Sequence, residues 1–327
     1  MSSIYKQQTC SNIEQEIQKS IQPTLNGQKQ EPDYIADLVT NLPQNLANVL
    51  SNNSNKHYKI AGAFIHQKPI VKFLGSFYAS YQKPELGDLL LLYKEKNTNG
   101  SEKYNALLLQ AKKGSSTGNN PINPQDHQLL LYTKWPVFMY HRGKNNAGIN
   151  FNGATRSVYP KATHPGAQYL IIDENSKPLS FFCAEPSQNT LATNSLAETI
   201  FDFIHFQTGR TFNLIPQKCQ NCVCDFINRH FCHKHPDEHC YGWTRVINDL
   251  ILLLKNAVFN RTKANYRNQD RFSDPHKLFL SSAPFTFNSG NNQNDNDIPN
   301  DNEENSKKGI GIIYIESTNE EISTQNI

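Results

Sequence analysis

Two apolar runs, Leu86-Gly-Asp-Leu-Leu-Leu-Leu-Tyr93 and Tyr104-Asn-Ala-Leu-Leu-Leu-Gln-Ala-Lys112, decide the fold predicted for this sequence. Each run has the length and apolar content of a strand that is buried on both faces. The segment 94–103 between them is polar and contains Gly100, which is typical of a hairpin loop. The sequence therefore predicts two buried antiparallel strands.

The flanking segments predict further elements of an α/β fold. Apolar residues at helical spacing follow Asp33, and Pro43 is expected to end or kink that helix. Alternating apolar residues predict a strand within Tyr58–Phe73, and Asp126–Trp135 is compatible with a short helix. Gln168–Ile172 is a further buried strand. The order of helix, three strands, helix and strand predicts a mixed sheet flanked by helices.

The C-terminal third predicts mainly helices. Ser195-x-x-Glu198 is a capping box that opens an apolar helix. Trp243–Val258 shows regular helical spacing. Ile310–Ile315 is predicted to be a final edge strand. The predicted organisation is a flexible polar arm at 1–30, a core at 31–175, a helical C-terminal part at 176–287 with a Cys/His-rich insert at 217–241, a disordered Asn-rich and acidic linker at 288–308, and a terminal strand and tail at 309–327.

Composition excludes several classes of protein. Hydrophobic residues make up 37% of the 327 residues, and no apolar run approaches the length of a membrane span. The N-terminus lacks the apolar region of a signal peptide, so we expect a cytoplasmic protein with no membrane partner. Seven cysteines without a secretory context argue against a disulfide framework. A net charge of +3 permits a nucleic-acid partner without indicating one.

Polar residues gather at one end of the predicted hairpin. Gln110 and Lys112 alternate with Ala111 and therefore share one face of their strand. Asp88 opens the preceding strand at the same end of the hairpin. Asp88 and the Gln110 carbonyl are oxygen ligands of the kind that Mg²⁺ or Mn²⁺ prefers, and the Ala111 backbone carbonyl is a third candidate. Lys112 would place positive charge where a water nucleophile or a phosphoryl oxygen needs it.

This order of residues resembles the PD-(D/E)xK nuclease superfamily, which has a restriction-endonuclease-like fold with an αβββαβ core. The family's metal-binding Asp corresponds to Asp88, its second acidic ligand to Gln110 and its Lys to Lys112. Gln128-Leu-Leu-Leu-Tyr132 is similar to the Gln-x-x-x-Tyr motif of RecB-type nucleases. The resemblance covers residues 31–175. It implies Mg²⁺- or Mn²⁺-dependent hydrolysis of phosphodiester bonds in nucleic acid, with DNA expected, in restriction, defence or repair.

Two departures from the family pattern leave alternatives open. Gln110 replaces the usual acidic residue, although some members, Mrr-like enzymes among them, tolerate Gln there. Glu85 is a second candidate ligand, because no strict Pro-Asp pair is present. A further acid from the first helix would be Glu31, Asp33 or Asp37. The alternatives to a nuclease are a nucleic-acid-binding or adaptor module with weak or no catalysis, and a partner-binding protein without a nucleic-acid role.

The Cys/His-rich insert suggests a second metal. Cys219-x-x-Cys222 has the spacing of a zinc knuckle. The candidates for the second ligand pair of a structural Zn²⁺ are Cys232, His233, His235, His239 and Cys240. A metal would supply folding energy to a polar insert with few core residues. The alternatives are a loop with free thiols, and an iron–sulfur cluster with Cys10 as its upstream ligand.

Overall fold

The computed structural model describes residues 3–23, 29–65, 69–75, 83–143, 150–214, 242–261 and 309–319, with side chains omitted at 64–65 and 254–261. The helices are α1 (Ser3–Ser20), α2 (Glu31–Asn52), α3 (His127–Lys134), α4 (Leu196–Ile204) and α5 (Gly242–Arg261). The strands are β1 (Lys56–Ile65), β2 (Ile70–Phe73), β3 (Leu89–Lys96), β4 (Glu102–Lys113), β5 (Asn119–Pro121), β6 (Phe138–Arg142), β7 (Thr155–Arg156), β8 (Ala167–Asp173), β9 (Ser180–Ala184), β10 (Asn189–Leu191), β11 (Asn194–Ser195), β12 (Arg210–Thr211) and β13 (Ile310–Asn319). Within these ranges, no helix combines the length and the apolar character that a membrane span needs.

The architecture is α/β, as the sequence predicts. The main sheet has the order β1-β13-β3-β4-β8-β9-β11, and β12 pairs with β4. β3 and β4 are antiparallel, whereas β4 and β8 are parallel and are connected through α3. Two smaller sheets have the orders β10-β5 and β2-β6-β7. The predicted hairpin, the short helix after it and the strand around Gln168–Ile172 are therefore confirmed.

The β3–β4 hairpin divides its side chains between two faces of the sheet. Leu91, Leu107 and Leu109 point into a core formed with α1, α2 and α4, which we call the apolar face. Leu90 and Leu108 point into a second core formed with residues of α3 and α5, which we call the α3 face. Both strands are thus buried on both sides, which explains why their sequence is continuously apolar rather than alternating.

α2 continues through Pro43, so the prediction that the helix could end at this proline is wrong. A proline removes one helical N–H and leaves the carbonyl four residues earlier without that partner. The Val39 carbonyl points at Gly62 of β1, where a Cβ would lie 1.8 Å from its oxygen. Gly311 of β13 similarly leaves room for Ile35, whose Cγ2 would lie 2.5 Å from a Cβ. The two glycines allow α2, which lacks one helical hydrogen bond at Pro43, to lie directly on the sheet.

The predicted flexible arm at residues 1–30 is wrong over Ser3–Ser20, because that segment forms α1. Ile13 and Ile17 are fully buried against α2 and α4, and Cys10 lies beside them. Only Cys10, Ile13 and Ile17 form the buried apolar side of this otherwise polar helix, and three such residues give a weak helical period. Burial of these residues against the rest of the molecule therefore stabilises α1 more than the helix propensity of its own sequence does.

Two strand predictions also need correction. The segment Ile310–Ile315 was expected at an edge, but β13 lies inside the sheet, antiparallel to β1 and parallel to β3. The stretch Tyr58–Phe73 forms two strands in different sheets, β1 and β2, instead of one. Strand order depends on contacts between distant segments, and a local apolar pattern does not encode it.

Some predictions concern parts of the chain outside the described residues. The Cys/His insert with Cys219, Cys222, Cys232 and Cys240 is one of them, and the linker at 288–308 is another. Cys10 is described, and it is a free, buried thiol. Burial raises its pKa to about 11. This disfavours the thiolate form that metal ligation requires.

Candidate functional site

Asp88 and Gln110 lie next to each other on the α3 face. Asp88 immediately precedes Leu89 and Gln110 immediately follows Leu109, and Leu89 and Leu109 are the last pair of the β3–β4 ladder at this end. The Gln110 Nε2 donates a hydrogen bond to Asp88 Oδ2, and the Ala111 backbone N–H donates to the same oxygen at 2.9 Å. The Asp88 carboxylate thus accepts the Ala111 N–H hydrogen bond that a backbone carbonyl of β3 would accept if the β3–β4 pairing continued past Leu89 and Leu109. The predicted convergence of these two side chains is present.

The amide orientation of Gln110 follows from charge. Turning the amide would place its carbonyl oxygen against the Asp88 carboxylate, which is repulsive, so the NH₂ group must face the acid. This leaves Gln110 Oε1 buried without a hydrogen-bond partner. A buried acceptor without a partner costs free energy, so its position calls for an explanation such as a ligand, an ion or a water.

Lys112 lies two residues farther along β4 on the same face. Its Nζ donates to Gln128 Oε1 at 2.5 Å and lies 3.6 Å from Asp126 Oδ2. The side chain is 27% exposed, whereas Asp88 is 4% and Gln110 is 3% exposed. The three predicted residues therefore form a row that runs from an enclosed acid to an ammonium that solvent can reach.

α3 places Gln128 and Tyr132 against this row. The helix begins after Asp126, whose Oδ1 accepts from the backbone N–H groups of Gln128 and Leu129 at 2.7 and 3.1 Å. Gln128 contacts Lys112 directly. Tyr132 is fully buried and donates to the Leu86 carbonyl at 3.0 Å, so it fixes α3 to the segment that precedes Asp88. Burial raises the Tyr132 pKa well above its usual value and keeps the hydroxyl a neutral donor.

The other acids considered from the sequence have contacts of their own. Glu31 Oε1 accepts from the Lys113 backbone N–H at 3.4 Å. Asp33 accepts from the Gln30 N–H at the start of α2. Asp37 forms an ion pair with Lys29. These contacts of Glu31, Asp33 and Asp37 therefore lie near the N-terminal part of α2.

Glu85 is half-buried and lies near the site. Burial lowers the pKa of His127, and the negative charges of Asp126 and Glu85 oppose that shift without reversing it. The positive charge of Lys112 also acts to lower the His127 pKa.

The residues present fit a hard divalent cation. Asp88 offers a carboxylate, and Gln110 Oε1 is a neutral oxygen that lacks another partner. Mg²⁺ commonly uses one or two carboxylates and keeps several waters, so a small set of protein oxygens suffices. Among the described residues, no group of three or more His, Cys, Asp and Glu could hold a metal. Any cation here would depend on Gln110 and water.

Asp126 and His127 are site residues that the sequence analysis missed. Asp126 was noted only as the start of a short helix. The sequence does indicate its importance, because Asp126 is the N-cap position immediately before the Gln128-x-x-x-Tyr132 motif. A carboxylate at that position lies at the same end of the helix as Gln128. His127 gives no separate signal in the sequence, since its proximity to Lys112 depends on how α3 docks on the sheet.

Comparisons with protein-family models, with curated proteins and with solved structures give no match to this chain. The resemblance to PD-(D/E)xK nucleases therefore depends on the residues and the geometry described above.

Proposed function

We propose that this protein is a metal-dependent nuclease that hydrolyses phosphodiester bonds, with DNA as its expected substrate. The observation that carries the proposal is the contact between Gln110 and Asp88 on the α3 face, where Lys112 follows on the same face of β4 and the Gln110 Oε1 has no hydrogen-bond partner. The proposal includes a restriction-endonuclease-like core of α2, β1, β3, β4, α3 and β8. The antiparallel β3–β4 pair and the parallel β4–β8 pair across α3 support that assignment.

Each residue has a separate role in this proposal. Asp88 and Gln110 would hold Mg²⁺ or Mn²⁺, which would supply Lewis acidity and charge neutralisation at the scissile phosphate. Lys112 places an ammonium beside that position and stabilises the negative charge that develops on the phosphoryl oxygens. Gln128 accepts from Lys112 and orients it. Tyr132 holds α3 in place.

A second candidate function is a nucleic-acid-binding module that retains the fold without catalysis. The specific observation in its favour is that Asp88 and Gln110 are only 4% and 3% exposed. Asp88 Oδ2 also already accepts from both Ala111 and Gln110. A carboxylate held this way completes the sheet whether or not a metal binds.

The deciding experiment incubates the purified full chain with Mn²⁺ and with single-stranded, double-stranded and circular DNA and RNA. We expect cleavage, and Lys112→Ala should lower the rate by roughly a hundredfold to a thousandfold, as removal of one charge-stabilising donor does. Lys19→Ala is the matched control, because Lys19 lies on α1 with its side chain 63% exposed. Cleavage that persists unchanged in Lys112→Ala, or absence of cleavage with every substrate, would contradict the nuclease proposal.

Binding measurements separate the two candidates. A binding module predicts no turnover in the parent and retained affinity in Asp88→Ala, with the same dependence of affinity on salt concentration. A nuclease predicts turnover that Asp88→Ala abolishes. A protein without a nucleic-acid role predicts no affinity in either variant.

A further inference from the structure

Asp126 has contacts at both of its carboxylate oxygens. Oδ1 caps α3 by accepting from the backbone N–H groups of Gln128 and Leu129. Oδ2 points to the sheet instead and lies 3.6 Å from the Lys112 Nζ. An N-cap needs only one side-chain oxygen, so the second is left to act on Lys112.

The Lys112 ammonium contacts the N-terminal end of α3. Its hydrogen bond goes to Gln128 Oε1, and its ion pair goes to Asp126. The 3.6 Å separation is too long for a strong hydrogen bond but short enough for direct charge attraction. A long flexible side chain thus receives its position from a capped helix end.

Asp126 also contributes to the charge balance around the Lys112 ammonium. The neutral Gln110 provides no negative charge beside Lys112, and the Asp88 Oδ2 is engaged by Gln110 and Ala111. Asp126 brings a carboxylate to Lys112 from the N-terminus of α3 rather than from β4. The helix cap therefore supplies a negative charge in direct range of the ammonium.

We infer that Asp126 is a positioning residue of the candidate site, which fixes the Lys112 ammonium toward α3 while capping that helix. The inference rests on the proposed function for its catalytic consequence. Its structural part, the hold on Lys112, can be measured without any nuclease activity.

Asp126→Asn separates the two tasks of this residue. Asparagine caps a helix about as well as aspartate does, so α3 should stay intact while the negative charge beside the Lys112 ammonium is lost. Asp126→Ala removes both the cap and the charge. Equal thermal unfolding of the parent and Asp126→Asn, with a lower transition for Asp126→Ala, shows that the asparagine variant is folded and capped.

The first readout is the rate at which a small acylating reagent labels Lys112 in the full chain, followed by mass spectrometry. We expect roughly fivefold faster labelling in Asp126→Asn, because a partly exposed ion pair of this kind contributes up to about 1 kcal/mol. Asp202→Asn is the matched control. Asp202 forms an ion pair with Lys6 at 2.6 Å, and its hydrogen bond raises the Lys6 pKa. It should speed the labelling of Lys6 and leave Lys112 unchanged.

The second readout is kinetic. Asp126→Asn should lower kcat roughly fivefold with KM unchanged, and it should have no further effect in a Lys112→Met background, because the residue acts through Lys112. Equal labelling of Lys112 in the parent and Asp126→Asn overturns the inference. An effect of Asp126→Asn that adds fully to Lys112→Met overturns it as well. If the parent cuts no nucleic acid, the nuclease proposal fails, and the labelling alone still decides whether Asp126 holds Lys112.

Discussion

Leu109 and Gln110 are consecutive residues of β4, yet they belong to two different regions of the molecule. Leu109 lies on the apolar face among residues of α1, α2 and α4, where packing alone explains its burial. Gln110 lies on the α3 face, where a buried amide, a buried carboxylate and a lysine form a polar end to an otherwise apolar core. The difference shows that the alternating side chains of one strand can have separate roles. One set packs in the core and stabilises the fold, and the other set forms the candidate site.

The largest effect is expected from Leu109→Ala, which should lower the free energy of unfolding by about 3 kcal/mol. The leucine is fully buried, and its removal leaves a cavity in the apolar face. Chemical denaturation measures the loss. Leu191→Ala is the control, because that leucine is 53% exposed and its truncation should change stability by less than about 0.5 kcal/mol. Similar losses in both variants would remove the packing role assigned to this face.

Gln110→Glu tests the polar side of the comparison. In metal-free buffer we expect a loss of about 2 kcal/mol, because a second carboxylate replaces the hydrogen bond to Asp88 with repulsion. Added Mn²⁺ should restore the stability, since a cation that binds only the folded state stabilises it. Thermal unfolding with chelator and with Mn²⁺ measures both effects.

Gln168→Glu is the matched control for that experiment. The Gln168 amide on β8 donates to the Thr208 hydroxyl at 3.2 Å instead of to a carboxylate. It should show neither the repulsion nor the recovery with Mn²⁺. A Gln110→Glu protein that ignores Mn²⁺ would contradict the metal site.

The next effect concerns pH and His164, on the α3 face. Burial lowers the His164 pKa from 6.5 to about 3, so the folded protein keeps the ring neutral. Below pH 6.5 His164 binds a proton in the unfolded chain, whereas in the folded chain the ring stays neutral until the pH approaches 3. Stability therefore falls as the pH decreases toward 3, by roughly 1 kcal/mol per pH unit.

His164→Asn should flatten this pH dependence, because it removes the titrating ring. The Asn carbonyl can replace Nδ1, which accepts from the Gly166 N–H at 3.1 Å. Denaturant unfolding between pH 7 and pH 4 compares the variant with the parent and with His57→Asn, in which an exposed histidine is replaced. Identical slopes in all three proteins would show that His164 is not shielded from protonation.

The smallest effect is expected from Tyr132→Phe. It removes the hydrogen bond to the Leu86 carbonyl and should lower stability by about 1 kcal/mol. Tyr159→Phe is the control, because Tyr159 is 57% exposed. Thermal unfolding distinguishes the two. A neutral Tyr132→Phe would mean that α3 is held by packing alone.

The sequence predicts those parts of the fold and site that depend on local patterns. The apolar runs around Leu91 and Leu107, the capping box at Ser195 and the helix that begins near Trp243 are all confirmed. The shared face of Gln110 and Lys112 follows from strand alternation and is also present.

The parts that escaped prediction depend on contacts between distant segments. α1 exists because Ile13 and Ile17 find a core built by other elements. α2 passes Pro43 because Gly62 makes room for it. Asp126 joins the site only when α3 docks on the sheet. None of these contacts leaves a periodic signal in its own segment.

The position of β13 has a consequence for how this chain is made. β13 separates β1 from β3, although it is translated after the rest of the described sheet. Until residues 310–319 leave the ribosome, β1 and β3 each have an unpaired edge that other nascent chains could capture. Completion of the sheet is therefore a late, long-range step in biosynthesis. Premature termination before Ile310 would remove the interior of the sheet rather than its rim, so truncated products should depend on chaperones or be degraded.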